Sequence, residues 1–424
     1  MGISKRQHEE ATAYGFNLFA AEGYAVCVHC FNDGPLRKLV RDAACVDECS
    51  FCGRTASSPI AAPLRPVVQF IGECLLQHYG DANDWLPYES AEGGYFGSTY
   101  DVYELLDHVG LCDELADDAG GLNERIGDAL GDGTWCEIDP FGMREHEHLL
   151  FSWERFCDTI KHGRRFFFMA GDSAEEADLE PDQLLSPAEV LNGIVERSLP
   201  LRLVRTLTAG GPLYRARFQP PGSRYRGALE LGAPPPSMAT QSNRMSPPGV
   251  VMTYLSLDEQ TALEETMAPT IARPQGAGAE AYAVASFELL QDVNVLDLTR
   301  IPSVPTIFER ERARELAAIR FLSEFERHVS LKIARDDRVH VDYVPTQVVT
   351  EYFRVAPQLV AQDVRGVVYR SARPTGGRNV VLFGGRELLD LSRVEARALE
   401  AAERAVWPQR SPLLRLVDAR ECLR

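Results

Sequence analysis

The stretch Val250-Val-Met-Thr-Tyr-Leu-Ser256 is one of four short, β-rich runs that Pro and Gly separate in the C-terminal half of the chain. β-Branched and aromatic residues favour strands, while Pro and Gly mark the turns between them. The other three runs are 201–207, 213–218 and 282–288. A long amphipathic helix is predicted over 306–327, where apolar residues recur at three- and four-residue spacing. Strands and helices mixed in this way predict an α+β domain.

Length, composition and charge narrow the class of protein. A chain of 424 residues predicts two or three domains, and its 45% hydrophobic and 25% charged residues are ordinary for soluble globular protein. The formal net charge of −18 argues against nucleic acid as the main partner, because nucleic-acid binders usually present a basic face. The sequence shows neither a signal peptide nor an apolar run long enough for a membrane helix, so we expect a cytoplasmic protein.

Four of the ten cysteines have a spacing typical of zinc sites. Cys27-Val-His-Cys30 and Cys49-Ser-Phe-Cys52 are two C-x2-C pairs separated by eighteen residues. Each pair can form a tight turn that places two sulfurs on one ion, and two such turns complete a tetrahedron. The sequence therefore predicts a structural zinc held by Cys27, Cys30, Cys49 and Cys52, with no open position for a substrate. Buried thiols without metal and a redox dithiol are the alternatives.

Composition divides the chain into three predicted regions. Residues 1–57 hold five of the ten cysteines and are predicted to form a zinc-ribbon-like module. Residues 58–195 are predicted to form an acidic helical domain, since the stretch 81–139 contains sixteen Asp or Glu and one Arg. That acidic run indicates a solvated face, and a docking surface for a basic partner is the alternative. Residues 196–424 hold the β-rich runs and form the predicted α+β domain.

Several stretches resemble a known family. Ser152-Trp-Glu-Arg-Phe156 and the following Lys161-His-Gly-Arg-Arg-Phe-Phe-Phe168 resemble the end of the HEPN/RES N-terminal domain. Downstream, successive motifs resemble those of the RES toxin domain: Leu213-Tyr-Arg-Ala-Arg-Phe218, Asn243-Arg-Met-Ser-Pro-Pro-Gly-Val250, Met252-Thr-Tyr-Leu-Ser256, Thr261-Ala-Leu-Glu-Glu265, Gly366-Val-Val-Tyr-Arg-Ser371 and Asn379-Val-Val-Leu-Phe383.

This resemblance implies a fold, a substrate and a set of catalytic residues. RES abbreviates Arg, Glu and Ser, which are matched here by Arg244, Glu265 and Ser371. It also implies NAD as the substrate and a core like that of ADP-ribosyltransferases, a split β-sheet with NAD in the cleft. One departure concerns the arginine, which in the family often sits in a Gly-Arg-aromatic-Asn string. Met245 stands here at the aromatic position. We expect this to affect the fit of the substrate more than the class of reaction.

Four side chains suit the binding of NAD by their chemistry. Planar guanidinium groups bind phosphate oxygens through paired hydrogen bonds, which makes Arg215, Arg217 and Arg244 candidates for the pyrophosphate. Tyr254 offers an aromatic face to the positively charged nicotinamide ring. Structural alternatives stay open, because an arginine beside two prolines can close a loop and a tyrosine in an apolar run can belong to the core.

Two further side chains suit the cleavage step. Glu265 can stabilise the positive charge that develops on the ribose as nicotinamide leaves, and Ser371 can orient a substrate group by hydrogen bonding. Glu264 is the reserve for Glu265, and either acid can simply favour the first turn of a helix. Ser371 can also be an edge-strand serine without a role.

The predicted function is therefore NAD degradation by a bacterial toxin or defence effector, a glycohydrolase or phosphorylase that cleaves the nicotinamide–ribose bond. A protein ADP-ribosyltransferase that uses the same site is one alternative, and a non-enzymatic zinc-ribbon adaptor for nucleic acid or protein is another. Besides NAD, we expect an antitoxin or regulatory protein as partner, unless the acidic helical region restrains the active site in cis. A homo-oligomer is left open.

Overall fold

The computed structural model describes residues 16–91, 93–111, 115–116, 119–167, 185–267, 280–331, 338–373, 376–400, 403 and 411–423. The chain forms two compact units. Unit 1 comprises Met1–Met143 and Val304–Leu316, and unit 2 comprises Arg144–Ser303 and Ala317–Arg424. The predicted regions 1–57, 58–195 and 196–424 stay predictions.

Unit 1 is built from short helices and antiparallel pairs of short strands. Asp33 caps its first described α-helix by accepting a hydrogen bond from the Leu36 amide at 2.7 Å, which fixes where that helix begins. The helices are α1 (Gly34–Ala43), α2 (Leu64–Leu75), α3 (Ala82–Trp85), α4 (Val102–His108) and α5 (Leu122–Leu130). The strands are β1 (Ala25–Cys27), β2 (Ala61–Pro63), β3 (Tyr79–Asp81), β4 (Tyr88–Glu89), β5 (Gly94–Tyr95) and β6 (Trp135–Glu137), paired as β1–β2, β3–β6 and β4–β5.

The segment Val304–Leu316 is part of unit 1 although it is distant in sequence from the rest of that unit. Phe308 is 2% exposed and lies in the same apolar core as residues of α2 and α4, and Ile307 packs against that core. Arg310 forms an ion pair with Glu73 of α2 at 3.0 Å. The helix predicted from residue 306 therefore begins later, as a 3-10 turn over Arg310–Glu315 followed by an α-helix from Leu316. Its predicted start is wrong because the first apolar residues serve the core of unit 1.

Unit 2 is organised around an eight-stranded mixed sheet. β11 pairs in parallel with β12, the other neighbouring strands pair antiparallel, and β8 joins β9 through the single register pair Tyr214 and Ser256. The strands are β7 (Val204–Leu207), β8 (Pro212–Gln219), β9 (Thr253–Ser256), β10 (Ala281–Leu289), β11 (Val293–Asp297), β12 (Val364–Arg370), β13 (Arg378–Leu382) and β14 (Leu414–Leu423), in the spatial order β14-β10-β8-β9-β13-β12-β11-β7.

Apolar side chains cover both faces of this sheet. Val367 and Val381 lie in one cluster with helix residues such as Phe325, whereas the adjacent Val368 and Val380 lie in a second cluster. Because successive residues of a strand point to opposite faces, uninterrupted apolar runs can serve both clusters.

The described α-helices of unit 2 are α6 (Glu145–Asp158), α7 (Pro187–Ser198), α8 (Ala228–Leu231), α9 (Glu259–Met267), α10 (Leu316–Ser330), α11 (Val339–Asp342), α12 (Val344–Val355), α13 (Pro357–Val360) and α14 (Arg393–Ala396).

The prediction of a mixed α and β fold is confirmed. The runs 201–207 and 250–256 contain β7 and β9, whereas β8 and β10 contain the runs 213–218 and 282–288, and no end differs by more than three residues. The likeness of the sheet to a split ADP-ribosyltransferase core stays a prediction. Among the described residues, no helix combines the length and the apolar character that crossing a bilayer requires.

Candidate functional site

The four predicted zinc ligands converge in unit 1. The Sγ atoms are 3.9 Å apart in Cys27 and Cys30, 3.5 Å in Cys27 and Cys52, and 3.5 Å in Cys30 and Cys49. Four sulfurs about 2.3 Å from one tetrahedral ion would lie about 3.8 Å from one another. All four ligand atoms lie within 4.8 Å of each other, so the cluster could hold a metal ion such as zinc.

Burial and backbone amides act in opposite directions on these thiols. Burial raises the pKa of Cys30 above its ordinary value, and the neighbouring Cys49 raises it further. Burial also acts to raise the pKa of Cys49, but hydrogen bonds from the Cys52 and Phe51 amides outweigh it and lower that pKa to about 7. Cys49 therefore becomes a thiolate at a lower pH than Cys30. A bound cation would favour the thiolate form of both, because metal ligation requires deprotonated sulfur.

In unit 2 the structure brings Glu265 and Ser371 together. Ser371 Oγ donates to Glu265 Oε1 at 2.7 Å, and Asn379 Nδ2 donates to the same oxygen at 2.9 Å. Arg373 Nε lies 3.6 Å from the other carboxylate oxygen, Oε2. These hydrogen bonds fix the carboxylate in position. Because the side chain of Glu265 is 26% exposed, it is still accessible to a ligand.

Three neighbouring strands position the groups around this carboxylate. Tyr369 of β12 lies opposite Asn379 of β13, which in turn lies opposite Ser256 of β9. Residues opposite one another on antiparallel strands share a face, so the three side chains form a row across the sheet. Ser256 Oγ donates to Asn379 Oδ1 at 2.7 Å, which turns the amide nitrogen toward Glu265.

Helix α9 carries Glu265 to that row. Asp258 caps the helix by accepting from the Thr261 amide at 2.8 Å. A Cβ atom at Gly377 would lie 1.7 Å from the Thr261 hydroxyl oxygen, so the close approach of α9 to the β12–β13 hairpin requires glycine there. This approach brings the last turns of α9 against the carboxyl end of β12.

The neighbouring acid, Glu264, has a different environment. It accepts a hydrogen bond from Gln260 at 2.7 Å, one turn earlier on the same helix. Adjacent residues of an α-helix point about 100° apart, so the two carboxylates cannot serve the same site. Glu265, and not the reserve candidate Glu264, faces Ser371.

Tyr254 lies on the same face of β9 as Ser256, two residues away. Its hydroxyl accepts from the Met245 amide at 3.2 Å and hydrogen-bonds with Ser246 Oγ at 3.0 Å. Burial raises the pKa of Tyr254 to about 12, so the hydroxyl is neutral at neutral pH. Met245 is 2% exposed and packs into the core between helices and sheet. Its side chain thus supports the loop from inside, while its backbone and Ser246 hold the tyrosine.

Arg244 is engaged by the chain itself. Its Nη2 donates to the Leu331 carbonyl at 2.7 Å, and its Nη1 donates to the Val329 carbonyl. Both carbonyls lie at the end of α10, where the last carbonyl groups of a helix lack intrahelical partners. The guanidinium also lies over the ring of Tyr343, 5.4 Å from its centroid. In this structure Arg244 closes the end of a helix, with both terminal nitrogens used.

Arg215 and Arg217 are two residues apart on β8, but their surroundings differ. Nη1 of Arg215 is buried and has no hydrogen-bond partner in the part of the chain that the structure describes. Burial lowers the pKa of Arg215 to about 10, which leaves it charged at neutral pH, and Tyr254 is among the groups that act on it. Arg217 is exposed, stacks 4.4 Å from the ring centroid of Tyr225 and donates to the Glu230 carbonyl. The structure therefore leaves Arg215 with a buried donor available to an anion.

Three residues of the site are absent from the predicted set: Tyr369, Arg373 and Asn379. Burial raises the pKa of Tyr369, and the charges of Arg244 and Glu265 act on it, so it lies among the predicted residues. Tyr369 lies in β12, Asn379 lies in β13, and Arg373 lies in the turn between these two strands. Their meeting depends on strand register, which is a property of the pairing of strands and not of either strand alone.

Two family models match the chain. Residues 43–174 match HEPN/RES N-terminal domain 1, and residues 212–407 match the RES domain, which includes all the unit 2 residues described above from Arg215 to Asn379. No curated protein matches the chain. RES domains are an NAD-related toxin family. The predicted resemblance is confirmed, and the chain carries a HEPN/RES N-terminal domain 1 followed by a RES domain.

Proposed function

We propose that the RES domain of this protein is an NAD-degrading enzyme that cleaves the bond between nicotinamide and ribose and acts as a toxin. One observation carries this proposal. The carboxylate of Glu265 is fixed at Oε1 by donors from Ser371 and Asn379, and it remains accessible inside a domain of an NAD-related family.

A fixed carboxylate suits the charge changes of this reaction. Cleavage moves the bonding electron pair onto the nicotinamide nitrogen, which becomes neutral, and leaves positive charge on the ribose. Glu265 would stabilise that charge without reorganising, because Ser371 and Asn379 already hold it in place. Water or phosphate then adds to the ribose carbon and loses a proton, which gives ADP-ribose or its phosphate ester.

Other parts of the site support a place for NAD. Nη1 of Arg215, which has no partner among the residues that the structure describes, suits a phosphate oxygen, and the ring of Tyr254 suits the nicotinamide. The join of β8 to β9 through one register pair supports a sheet that opens between these strands, as the likeness to ADP-ribosyltransferases implies. The proposed cleft lies beside that join.

Release of nicotinamide from NAD by the purified chain tests the proposal, with the products identified by mass in water and in phosphate buffer. We expect release by the wild-type protein and at least a ~10³-fold lower rate for Glu265→Gln, which keeps the shape of the side chain and removes its charge. Glu264→Gln is the matched control, because it makes the same change on a residue that bonds to Gln260 instead. Intact NAD in both buffers, or equal losses in the two variants, contradicts the proposal.

Labelled NAD identifies the acceptor of the ADP-ribosyl group. Label that stays in small molecules agrees with hydrolysis or phosphorolysis, as proposed here. Label that appears on protein, and that Glu265→Gln removes, assigns the same site to protein ADP-ribosylation instead.

We infer in addition that Cys27, Cys30, Cys49 and Cys52 hold a structural zinc. Their sulfur–sulfur distances of 3.5–3.9 Å support this, as does the position of three of them in the core of unit 1. Four thiolates fill a tetrahedral coordination sphere, so the ion would cross-link two turns and take no part in NAD cleavage.

A further inference from the structure

Arg373 is, after Arg215, the second arginine of unit 2 with an unsatisfied side-chain donor among the described residues, and it lies beside Glu265. Its Nε is buried and has no hydrogen-bond partner among the described residues. The nearest acid is Glu265, whose Oε2 lies 3.6 Å away, beyond the distance of a good N–H···O bond. The side chain as a whole is 17% exposed, but the Nε atom itself is buried from water. The charge of Arg373 attracts the carboxylate, while its Nε lacks a hydrogen-bond acceptor among the described residues.

The backbone of Arg373 is anchored beside the reacting groups. Its amide donates to Ser371 Oγ at 3.2 Å, the same oxygen that donates to Glu265. Its carbonyl accepts from the Gly376 amide at 3.1 Å in the turn after β12. The arginine side chain can therefore change partner without displacing the serine or the carboxylate.

Arg244 and Arg373 differ in the number of hydrogen bonds that their guanidinium groups would lose on binding a ligand. Both terminal nitrogens of Arg244 donate to carbonyl groups at the end of α10, so binding a phosphate there would cost those hydrogen bonds. Arg373 and Arg215 each have a buried nitrogen that finds no acceptor within the described segments. The pyrophosphate of NAD carries two negative charges, which two such arginines suit.

We propose that Arg373 binds a phosphate of the substrate and neutralises Glu265 only until the substrate arrives. This inference rests on the proposed function, since it concerns the same site. When a phosphate takes the guanidinium, Glu265 loses the neutralising charge of Arg373 and keeps its hydrogen bonds from the neutral donors Ser371 and Asn379, so its own charge acts more strongly on the ribose. Cleavage of the nicotinamide bond is thereby coupled to the presence of a phosphate on the substrate, which is several bonds away from the reacting carbon.

Three substrates that share the nicotinamide–ribose bond test this coupling: NAD, nicotinamide mononucleotide and nicotinamide riboside, which lacks phosphate. We expect Arg373→Gln to lower kcat/KM for NAD and for the mononucleotide on the order of 10²-fold, and to leave the riboside unchanged or faster. Arg378→Gln is the matched control, because it removes the same charge from the same hairpin, one residue before Asn379 and so on the opposite face of β13. It should affect no substrate selectively.

A binding measurement keeps the test independent of turnover. Calorimetry with ADP-ribose, which has both phosphates and no nicotinamide, should show at least about tenfold weaker binding to Arg373→Gln than to wild type, with Arg373→Lys in between because it keeps the charge without the fork. If Arg373→Gln slows NAD and riboside equally, Arg373 only positions Glu265 and the proposal is wrong. Unchanged ADP-ribose binding in folded variants overturns it as well. A wild-type chain that releases no nicotinamide but binds ADP-ribose through Arg373 would refute the proposed function alone.

Discussion

The four-cysteine cluster of unit 1 and the carboxylate site of unit 2 place reactive side chains together in opposite ways. The cysteines are close in sequence, are mostly buried and meet one another at 3.5–3.9 Å. Glu265 and Ser371 are 106 residues apart in sequence, and two arginines of unit 2, Arg215 and Arg373, each have a buried donor without an acceptor in the part of the chain that the structure describes. Four cysteines that all bind one ion leave no position for a substrate, and such a cluster contributes to the stability of the fold. Buried donors without a hydrogen-bond partner are rare in folded proteins, and a bound ligand can supply the acceptor that they lack.

The largest effect is expected where the cysteine cluster is broken. Cys30→Ser removes one of the four thiolates from the core of unit 1, so we expect loss of bound zinc and a fall of several kcal/mol in the free energy of unfolding of that unit. Metal content per chain and thermal unfolding measure both. Cys45→Ser is the control, because Cys45 is exposed and lies outside the cluster. A Cys30→Ser protein with one zinc per chain and an unchanged Tm would show that this site is not closed by four thiolates.

A change at Asn379 should affect unit 2 mainly in activity. Asn379→Ala removes a donor to Glu265 Oε1 and leaves the Ser256 hydroxyl without its acceptor. We expect the rate of nicotinamide release to fall about 10²-fold, as when one donor to a key charged group is lost, and stability to fall by only about 1–2 kcal/mol. Steady-state kinetics beside thermal unfolding separate the two. If Asn379→Ala lowers stability as much as Cys30→Ser does, and activity is lost only through unfolding, Asn379 has a structural role like that of the cysteines. The contrast between a structural cluster in unit 1 and a ligand site in unit 2 would then be wrong.

The smallest effects are expected at Tyr254, where the hydroxyl and the ring have separate roles. Tyr254→Phe loses the hydrogen bonds to the Met245 amide and Ser246, so we expect a loss of about 1 kcal/mol in stability and less than about threefold in rate. Tyr254→Leu also removes the aromatic face and should raise KM for NAD about tenfold more than Tyr254→Phe does. Equal KM values in the two variants would assign Tyr254 to the core and not to nicotinamide.

Several elements of the fold were predictable because their signals are local. β-Branched and aromatic residues flanked by Pro or Gly located β7 to β10, and the C-x2-C spacing located the cysteine cluster. The helix predicted from residue 306 shows where local signals fail. Ile307 fits the apolar pattern predicted for the helix, but it and the adjacent Phe308 pack into the core of unit 1, and the α-helix starts at Leu316. Apolar periodicity reports that residues are buried, but it does not report against which part of the chain.

The sequence by itself determined the residue types of the site and their order along the chain. Arg244, Tyr254, Glu265 and Ser371 were named from short motifs that resemble those of a known family. Only the tertiary structure decided their partners. It placed Asn379 and Arg373 on the carboxylate of Glu265, and it engaged Arg244 at the end of α10. These contacts join segments 85 to 114 residues apart, so they depend on strand register and helix packing, which no single stretch of sequence contains.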